Sequence, residues 1–363
     1  MAPPVITSIL SLELESFRNL DSVVLRPSSN GLTVIKGDNG VGKTSLLEAV
    51  VYCSTLRSFR GVAKEAVISN GKAQASLHCV LLHGSRTVDV SVDITLSRRD
   101  RVQRNGQRVD NGRDLLEVLQ TTLFTPDDLE LAKGSPSLRR GLLDDVIAAA
   151  SPRLGAELAS LDRILRQRNA LLRQLGGRLR TDDMATLNIW DERLAETGEI
   201  ISTARANLLE ALVPLARRAF AALAPGAGTL ELFYLPSYKG SLAAALKESR
   251  DDDLRRQLTT VGPQRDDVGI SAGGLDARSR LSQGRQRCVA LALRLASHEY
   301  LTAATGVQPV LLLDDAFSEL DEKTARSLVN ELPTGQALLT TAGSLPPGSE
   351  PDLVFSLVDG VIS

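Results

Sequence analysis

The chain has 363 residues, 43% of them hydrophobic and 3% aromatic, and its formal net charge is -2. This charge argues against a protein whose whole surface wraps nucleic acid, although it permits a local basic patch, and the scarcity of aromatic residues disfavours a base-stacking groove. No apolar run is long enough to span a membrane, Met1–Ser8 lacks the features of a signal peptide, and three widely spaced cysteines fit a reducing cytoplasm.

The first stretch of the chain, roughly residues 1–145, alternates strand-like and helix-like patterns. Apolar residues recur at every second position in the strand-like segments, as expected for strands with one buried face. The predicted elements are strands at Ile9–Leu14 and Leu32–Ile35, a helix at Ser45–Tyr52, a strand at Val88–Leu96 and a hairpin at Arg98–Arg108 with its turn at Asn105-Gly106.

The remaining sequence falls into a helical stretch and a second alternating stretch. Residues 146–255 are rich in Ala, Leu and Arg and poor in β-branched residues, which predicts mostly helix. Residues 256–363 again alternate strand and helix, and their continuously apolar run is typical of a parallel strand buried on both faces. The predicted elements are a helix at Ser282–Tyr300 and strands at Val310–Leu313, Ala337–Thr341 and Leu353–Leu357.

The strongest motif is GDNGVGKT, which matches the P-loop pattern GxxxxGK[ST] between a predicted strand and a predicted helix. Its glycines let backbone N–H groups turn toward phosphate oxygens, and the helix N-terminus adds positive potential. Lys43 is expected to reach the β- and γ-phosphates of ATP and to act in catalysis, and Thr44 to ligate Mg²⁺. The predicted nucleotide-binding residues are Gly37, Asp38, Asn39, Gly40, Val41, Gly42, Lys43 and Thr44.

A second motif, VLLLDD, is an apolar strand that ends in two carboxylates. As a Walker B motif it would use Asp314 to hold Mg²⁺ and Asp315 to orient or deprotonate the attacking water. An ordinary strand end is the alternative when the motif is taken alone. The preceding P-loop and the following Ser318–Asp321 segment favour Walker B.

A third motif, LSQGRQR, opens an Ala- and Leu-rich helix. The hydroxyl of Ser282 and the backbone near Gly284 can donate to an anion, although an ordinary N-cap explains the motif when it is taken alone. Its position ahead of Walker B favours the signature turn of ATP-binding-cassette heads, which binds the γ-phosphate of the opposite subunit's nucleotide. The implied mechanism is that ATP joins two heads and hydrolysis releases them.

Several further segments resemble, in order, those of the RecF family of bacterial recombination and gap-repair ATPases, which are related to SMC-type heads. The resemblance covers nearly the whole chain. It implies a slow, DNA-dependent ATPase with ATP and Mg²⁺ as cofactors, an ATP-dependent homodimer, binding to single-stranded or gapped duplex DNA, and work with RecR, and through it RecO, in recombinase loading for gap repair and replication restart. The segments are Phe17–Leu20, Gly37–Ala49, Arg57–Arg60, Phe124–Leu129, Gly134–Arg140, Gln167–Leu172, Trp190-Asp191 and Gly262–Asp267.

The sequence also departs from related patterns. Gln264 stands where the family often has His, Arg285 where many cassette signatures have Glu, and Asp315 where transporter heads have Glu. The usual switch histidine is missing after the strand Ala337–Thr341. Because Asp is one methylene shorter than Glu and catalysis responds to shifts of about 1 Å, slow turnover is expected.

Arginines form the candidate DNA contacts. Arg163, Arg166 and Arg173 could share one helical face within the acid-free segment Arg163–Arg180, and this face is interpreted either as a phosphate-contacting surface or as a solvated or protein-docking one. Arg57 and Arg60 follow the P-loop helix, a region where SMC-type heads have arginines near nucleotide or DNA. A basic hairpin at Arg98–Arg108 is a third cluster, for which solubility is an equally simple explanation.

Together these patterns predict an α/β fold. Residues 1–145 and 256–363 would form a discontinuous ABC-type P-loop ATPase head, a mixed sheet with flanking helices, and residues 146–255 an inserted helical arm. The alternatives are a RecF-like head of another DNA-surveillance or defence system, a transporter nucleotide-binding subunit and a non-hydrolysing clamp. The long interval between the P-loop and the signature disfavours the transporter, and the intact Walker residues disfavour the clamp.

Overall fold

The computed structural model describes residues 4–109, 112–177 and 181–363. Its strands and helices follow one another largely as the hydrophobic spacing of the sequence predicts. The chain divides into two units. Unit 1 comprises Met1–Asp128, Ala222–Ala224 and Leu291–Ser363, and unit 2 comprises Leu129–Ala221 and Pro225–Ala290.

The described strands and helices are labelled in chain order. The strands are β1 (Val5–Phe17), β2 (Leu20–Leu25), β3 (Gly31–Lys36), β4 (Gln74–His83), β5 (Arg86–Thr95), β6 (Arg101–Arg104), β7 (Gln107–Arg108), β8 (Thr121–Phe124), β9 (Leu230–Leu235), β10 (Asp267–Ala272), β11 (Leu275–Asp276), β12 (Val307–Gln308), β13 (Val310–Asp314), β14 (Gln336–Thr341), β15 (Leu353–Val358) and β16 (Val361–Ile362). The helices are α1 (Lys43–Thr55), α2 (Arg113–Leu116), α3 (Leu129–Lys133), α4 (Pro136–Ala150), α5 (Pro152–Leu175), α6 (Thr181–Leu223), α7 (Leu242–Glu248), α8 (Arg250–Arg256), α9 (Ala277–Arg280), α10 (Gln283–Thr305) and α11 (Glu322–Glu331).

Unit 1 contains a six-stranded, mostly parallel sheet in the order β16-β15-β3-β14-β13-β8. Strands β13 and β14 are buried along their whole length, which explains their continuous apolar sequence. Strand β14 pairs in parallel with β3 on one side and with β13 on the other. The carboxyl ends of these three strands therefore meet at one edge of the sheet, where ligands bind in open parallel sheets.

A second sheet of unit 1 is mainly antiparallel, in the order β12-β1-β4-β5-β6-β7, with β2 also paired to β1. Its strands bury every second residue, for example along β5. These side chains join those of α1 in one hydrophobic cluster, to which Leu12, Leu47 and Val90 belong. The helix that follows the P-loop is thus fixed between two sheets.

Unit 2 consists of helices and the three-stranded antiparallel sheet β11-β10-β9. Helices α5, α6 and α7 share a hydrophobic cluster that includes Ile164, Leu194 and Leu242. Within the described residues, no helix is long and apolar enough to cross a membrane.

The predicted elements are confirmed with three differences. Residues 146–255 include a strand, β9, in addition to helices. Strand β15 exists, but its prediction as a core strand is wrong because only Leu357 in it is buried; β15 has only the short strand β16 beyond it at that edge of the sheet. The unit boundaries near residues 128 and 290 also differ from those predicted at 145 and 255, and the assignment of a head and an arm stays a prediction.

Candidate nucleotide-binding site

The P-loop connects the end of β3 to the start of α1. Gly42, the residue before α1, has a φ of 112°, a value that side-chain-bearing residues rarely adopt. A Cβ added there would lie 2.5 Å from Cδ2 of Leu20, so the tight turn requires glycine. Asp38, Asn39 and Gly40 of the loop are exposed.

Lys43 holds the loop in its curled form. Its Nζ donates hydrogen bonds to the carbonyl oxygens of Gly37 at 2.7 Å and Asp38 at 2.8 Å, and the residue is only 7% exposed. The ammonium group therefore lies inside the arc of the loop, where it adds positive charge beside the N-terminus of α1. This arrangement favours an anion at the loop.

The β1–β2 turn braces the P-loop from outside. Nδ2 of Asn19 donates to the carbonyl oxygen of Gly40 at 2.9 Å, and Oδ1 of Asn19 accepts from Oγ of Ser45 at 2.9 Å. One side chain thus ties the loop to the first turn of α1. Asn19 belongs to the Phe17–Leu20 segment that resembles the RecF family, but no role was predicted for it, because sequence spacing does not show that this turn reaches the P-loop.

A buried carboxylate organises the segment after α1. Glu48 is fully buried and accepts hydrogen bonds from Nε of Arg18 at 2.9 Å, from Nη2 of Arg18 at 2.5 Å and from the Ser58 hydroxyl at 2.5 Å. Arg60, a predicted DNA contact, has its Nε 3.7 Å from Glu48 and an exposed fraction of 43%. Arg57, the other predicted contact here, is exposed.

The Walker B residues lie beside the P-loop. The hydroxyl of Thr44 donates to Oδ1 of Asp314 at 2.9 Å, and the hydroxyl of Thr340 donates to the same oxygen at 2.7 Å. Burial raises the pKa of the Asp314 carboxyl, while the bonds from Thr340 and Thr44 and the nearby charge of Arg60 oppose that rise. Asp315 follows with a φ of 47°, and its backbone N–H donates to the carbonyl oxygen of Thr340 at 3.1 Å.

The predicted signature residues and the P-loop belong to different units. Ser282 and Gly284 lie in unit 2, and both are exposed. Oγ of Ser282 accepts from the backbone N–H of Arg285 at 3.4 Å, which is the N-cap bond of the simpler interpretation. The phosphate-binding role of this turn stays a prediction.

The predicted arginines of the arm divide by exposure. Arg163, Arg166 and Arg173 are exposed on α5, so they are accessible to a ligand. Arg168, from the same acid-free segment, is fully buried and forms ion pairs with Asp191 and Asp253. Arg178 and Arg180 lie outside the described residues.

The fold and this site define a P-loop nucleotide-binding head of the ABC and SMC type. The family described as RecF/RecN/SMC N terminal domain matches residues 8–340. An Smc head domain from Pyrococcus furiosus, solved with bound ScpA C-terminal domain, covers 98% of this chain and 95% of its own at a TM-score of 0.57 and 17% identity, which supports the fold alone.

Relatives that match nearly the whole chain identify the family within this class. A DNA replication and repair protein RecF from Streptomyces avermitilis is 38% identical over 350 residues, covering 92% of this chain and 93% of its own length. That of Acidothermus cellulolyticus is 36% identical over 355 residues, covering 94% of each. A solved structure of the recombination mediator protein RecF-ATPrS in the RecFOR pathway has a TM-score of 0.89 at 30% identity, covering 99% of this chain and 98% of that one. The chain belongs to the RecF family.

Proposed function

We propose that this chain is an ATP-dependent DNA-binding protein of recombinational gap repair and replication restart. In this proposal ATP closes a homodimer of heads on single-stranded or gapped duplex DNA, and slow, DNA-dependent hydrolysis releases it. The observation that carries the proposal is the pairing of a curled, lysine-held P-loop with the 2.9 Å contact between Thr44 and Asp314. These groups come from distant parts of the sequence and meet at the edge of the parallel sheet.

The oxygen donors beside the P-loop fit Mg²⁺. A threonine hydroxyl and a carboxylate are hard ligands of the kind that Mg²⁺ uses together with phosphate oxygens and water. Thr44 and Asp314 would hold the ion, and bound Mg²⁺ would neutralise part of the negative charge on the β- and γ-phosphates. A cation there would also offset the desolvation that raises the pKa of Asp314.

The proposal assigns the remaining roles to Lys43, Asp315 and the turn at Ser282 and Gly284. Lys43 would contact the phosphates, and Asp315 would orient the attacking water. The exposed turn at Ser282 and Gly284 would complete the site of a second molecule, which makes dimerisation a requirement for turnover. Because the side chain of Asp315 is short, kcat should stay below about 10 s⁻¹, the median for enzymes.

The comparisons supply the biological setting of the proposal. The curated relatives are described as DNA replication and repair proteins, and the solved RecF structure is placed in the RecFOR pathway. On this basis the proposed partners are DNA, RecR and, through RecR, RecO, with recombinase loading in the cytoplasm as the outcome. Agreement along more than nine tenths of both chains favours this function over a transporter subunit or a defence protein.

Sedimentation velocity tests the proposal directly. The wild-type protein should shift from monomer to dimer on adding ATP and Mg²⁺, and more completely with gapped duplex DNA present. Lys43→Met should abolish the shift, because it removes the ammonium group from the loop. Lys72→Met, which changes an exposed lysine of the same unit, should behave as wild type. If the mass of the wild-type protein does not respond to ATP, the proposed ATP-dependent homodimer is wrong.

A further inference from the structure

The strand between the P-loop strand and the Walker B strand ends in a buried hydroxyl. Thr340, on β14, is 0% exposed. Its Oγ1 lies 2.7 Å from Oδ1 of Asp314 and 3.2 Å from the backbone nitrogen of Asp315. One side chain therefore contacts both acidic residues of the Walker B motif.

The chemistry of these contacts fixes the direction of each bond. A threonine hydroxyl carries one hydrogen, and the carboxylate oxygen at 2.7 Å is a closer and stronger acceptor than the carbonyl oxygen of Leu313 at 3.5 Å. The hydroxyl therefore donates to Asp314 and accepts from the N–H of Asp315. The carbonyl oxygen of Thr340 also accepts from this N–H, so β14 holds it through side chain and main chain together.

We propose that Thr340 is a positioning residue for ATP hydrolysis, an inference that rests on the proposed function. Thr44, the other hydroxyl donor to Asp314, is an expected Mg²⁺ ligand, whereas Thr340 stands outside the ligand set and can orient the carboxylate whether or not the ion is bound. Asp315 has a φ of 47°, which is uncommon for a residue other than glycine. Anchoring its N–H to Thr340 stabilises this conformation and so fixes the direction of its side chain.

Two substitutions at Thr340 separate this positioning role from a role in packing. Thr340→Val removes the hydroxyl but keeps the β-branched shape and the main-chain bond to Asp315, so β14 can still pair with β13. Thr340→Ser restores the hydroxyl without the methyl group. Thr33→Val is the matched control, because Thr33 is also 0% exposed in the same sheet and its hydroxyl accepts from the backbone N–H of Ser28 at 3.0 Å.

Two measurements on the full chain test the proposal. The first is kcat and KM for ATP; the second is binding of a fluorescent ATP analogue as a function of Mg²⁺ concentration, which needs no turnover. Thr340→Val should lower kcat by about 10- to 100-fold, the effect of losing a hydrogen bond to a charged group, with a smaller change in KM. It should also raise the Mg²⁺ concentration for half-maximal binding by about tenfold.

The control variants decide between positioning and structure. Thr340→Ser should return both quantities to within about threefold of wild type, and Thr33→Val should match wild type in both. If Thr340→Val equals Thr33→Val in both measurements, or if Thr340→Ser fails as severely as Thr340→Val, Thr340 has only a packing role and the inference is wrong. If the wild type itself neither binds nor hydrolyses ATP, the proposed function is overturned and this inference with it.

Discussion

Two buried cationic side chains, one in each unit, differ in the groups to which they are bonded. Lys43 in unit 1 donates to the carbonyl oxygens of Gly37 and Asp38, which are neutral groups. Arg168 in unit 2 is bonded to the carboxylates of Asp191 and Asp253, each at 2.7 Å. In the part of the chain that the structure describes, the charge of Lys43 is thus left for a ligand, whereas that of Arg168 is neutralised within the fold. The partners of a cation, more than its neighbours in sequence, indicate its role.

The Arg168 network ties together elements that are distant in the chain. Arg168 lies on α5, Asp191 on α6 and Asp253 on α8, and a further bond of 2.8 Å from Arg168 reaches the hydroxyl of Thr259. Asp191 also accepts from Arg250 at 2.6 Å. Removing one member leaves buried charges uncompensated, which is the costly way to break such a network.

The largest effect is therefore expected from Arg168→Ala, which should lower the free energy of unfolding of unit 2 by about 3–5 kcal/mol. Trp190, the single tryptophan of the sequence, precedes Asp191 on α6, so its fluorescence during urea unfolding reports on this region. Arg166→Ala, an exposed neighbour on the same helix, should cost no more than about 0.5 kcal/mol. Equal losses in the two variants would remove the contrast between buried and exposed arginines.

A smaller effect is expected where a neutral side chain supports the P-loop. Asn19→Ala removes the bonds to Gly40 and Ser45, each worth about 1 kcal/mol, so ATP affinity should fall by about 30-fold in an equilibrium binding titration. Asn105→Ala is the matched control, because Asn105 also lies in a hairpin turn and accepts from the N–H of Asp89 at 2.9 Å. If both variants bind ATP as tightly as wild type, the turn does not brace the loop.

These cases show which parts of the site were accessible from the sequence. The P-loop is contiguous and its composition follows from local backbone geometry, so both its position and the helix after it were predicted. Roles that depend on strand order were not, because nothing local places Thr340 between β3 and β13 or brings Asn19 to Gly40. Arg168 did carry a signal: it lies four residues from both Ile164 and Leu172, on the buried face of α5.

The smallest effect for each residue is expected from the exposed arginines of α5, which would share their contribution to DNA affinity. In the described part of the chain no ion pair is found for Arg163, Arg166 or Arg173, so they resemble Lys43 in having charge available for a ligand. Phosphate contact and a merely solvated face both fit this exposure, and the following variant separates them. Replacing all three by Ala should reduce the slope of log affinity for gapped duplex DNA against log salt by about 2 to 3, close to 0.9 for each phosphate contact.

The matched control for this measurement is Arg255→Ala with Arg256→Ala. Both residues are exposed in the same unit but already pair with Asp252. Their loss should leave the slope unchanged, because each guanidinium group is already paired with the Asp252 carboxylate. A slope that the triple variant leaves intact would assign the α5 face to solvation or to a protein partner. The groups bonded to a cation within the protein would then predict its role only where the cation is buried, because an uncompensated buried charge is costly. They would not predict the role of an exposed cation, because water can take the place of the missing group.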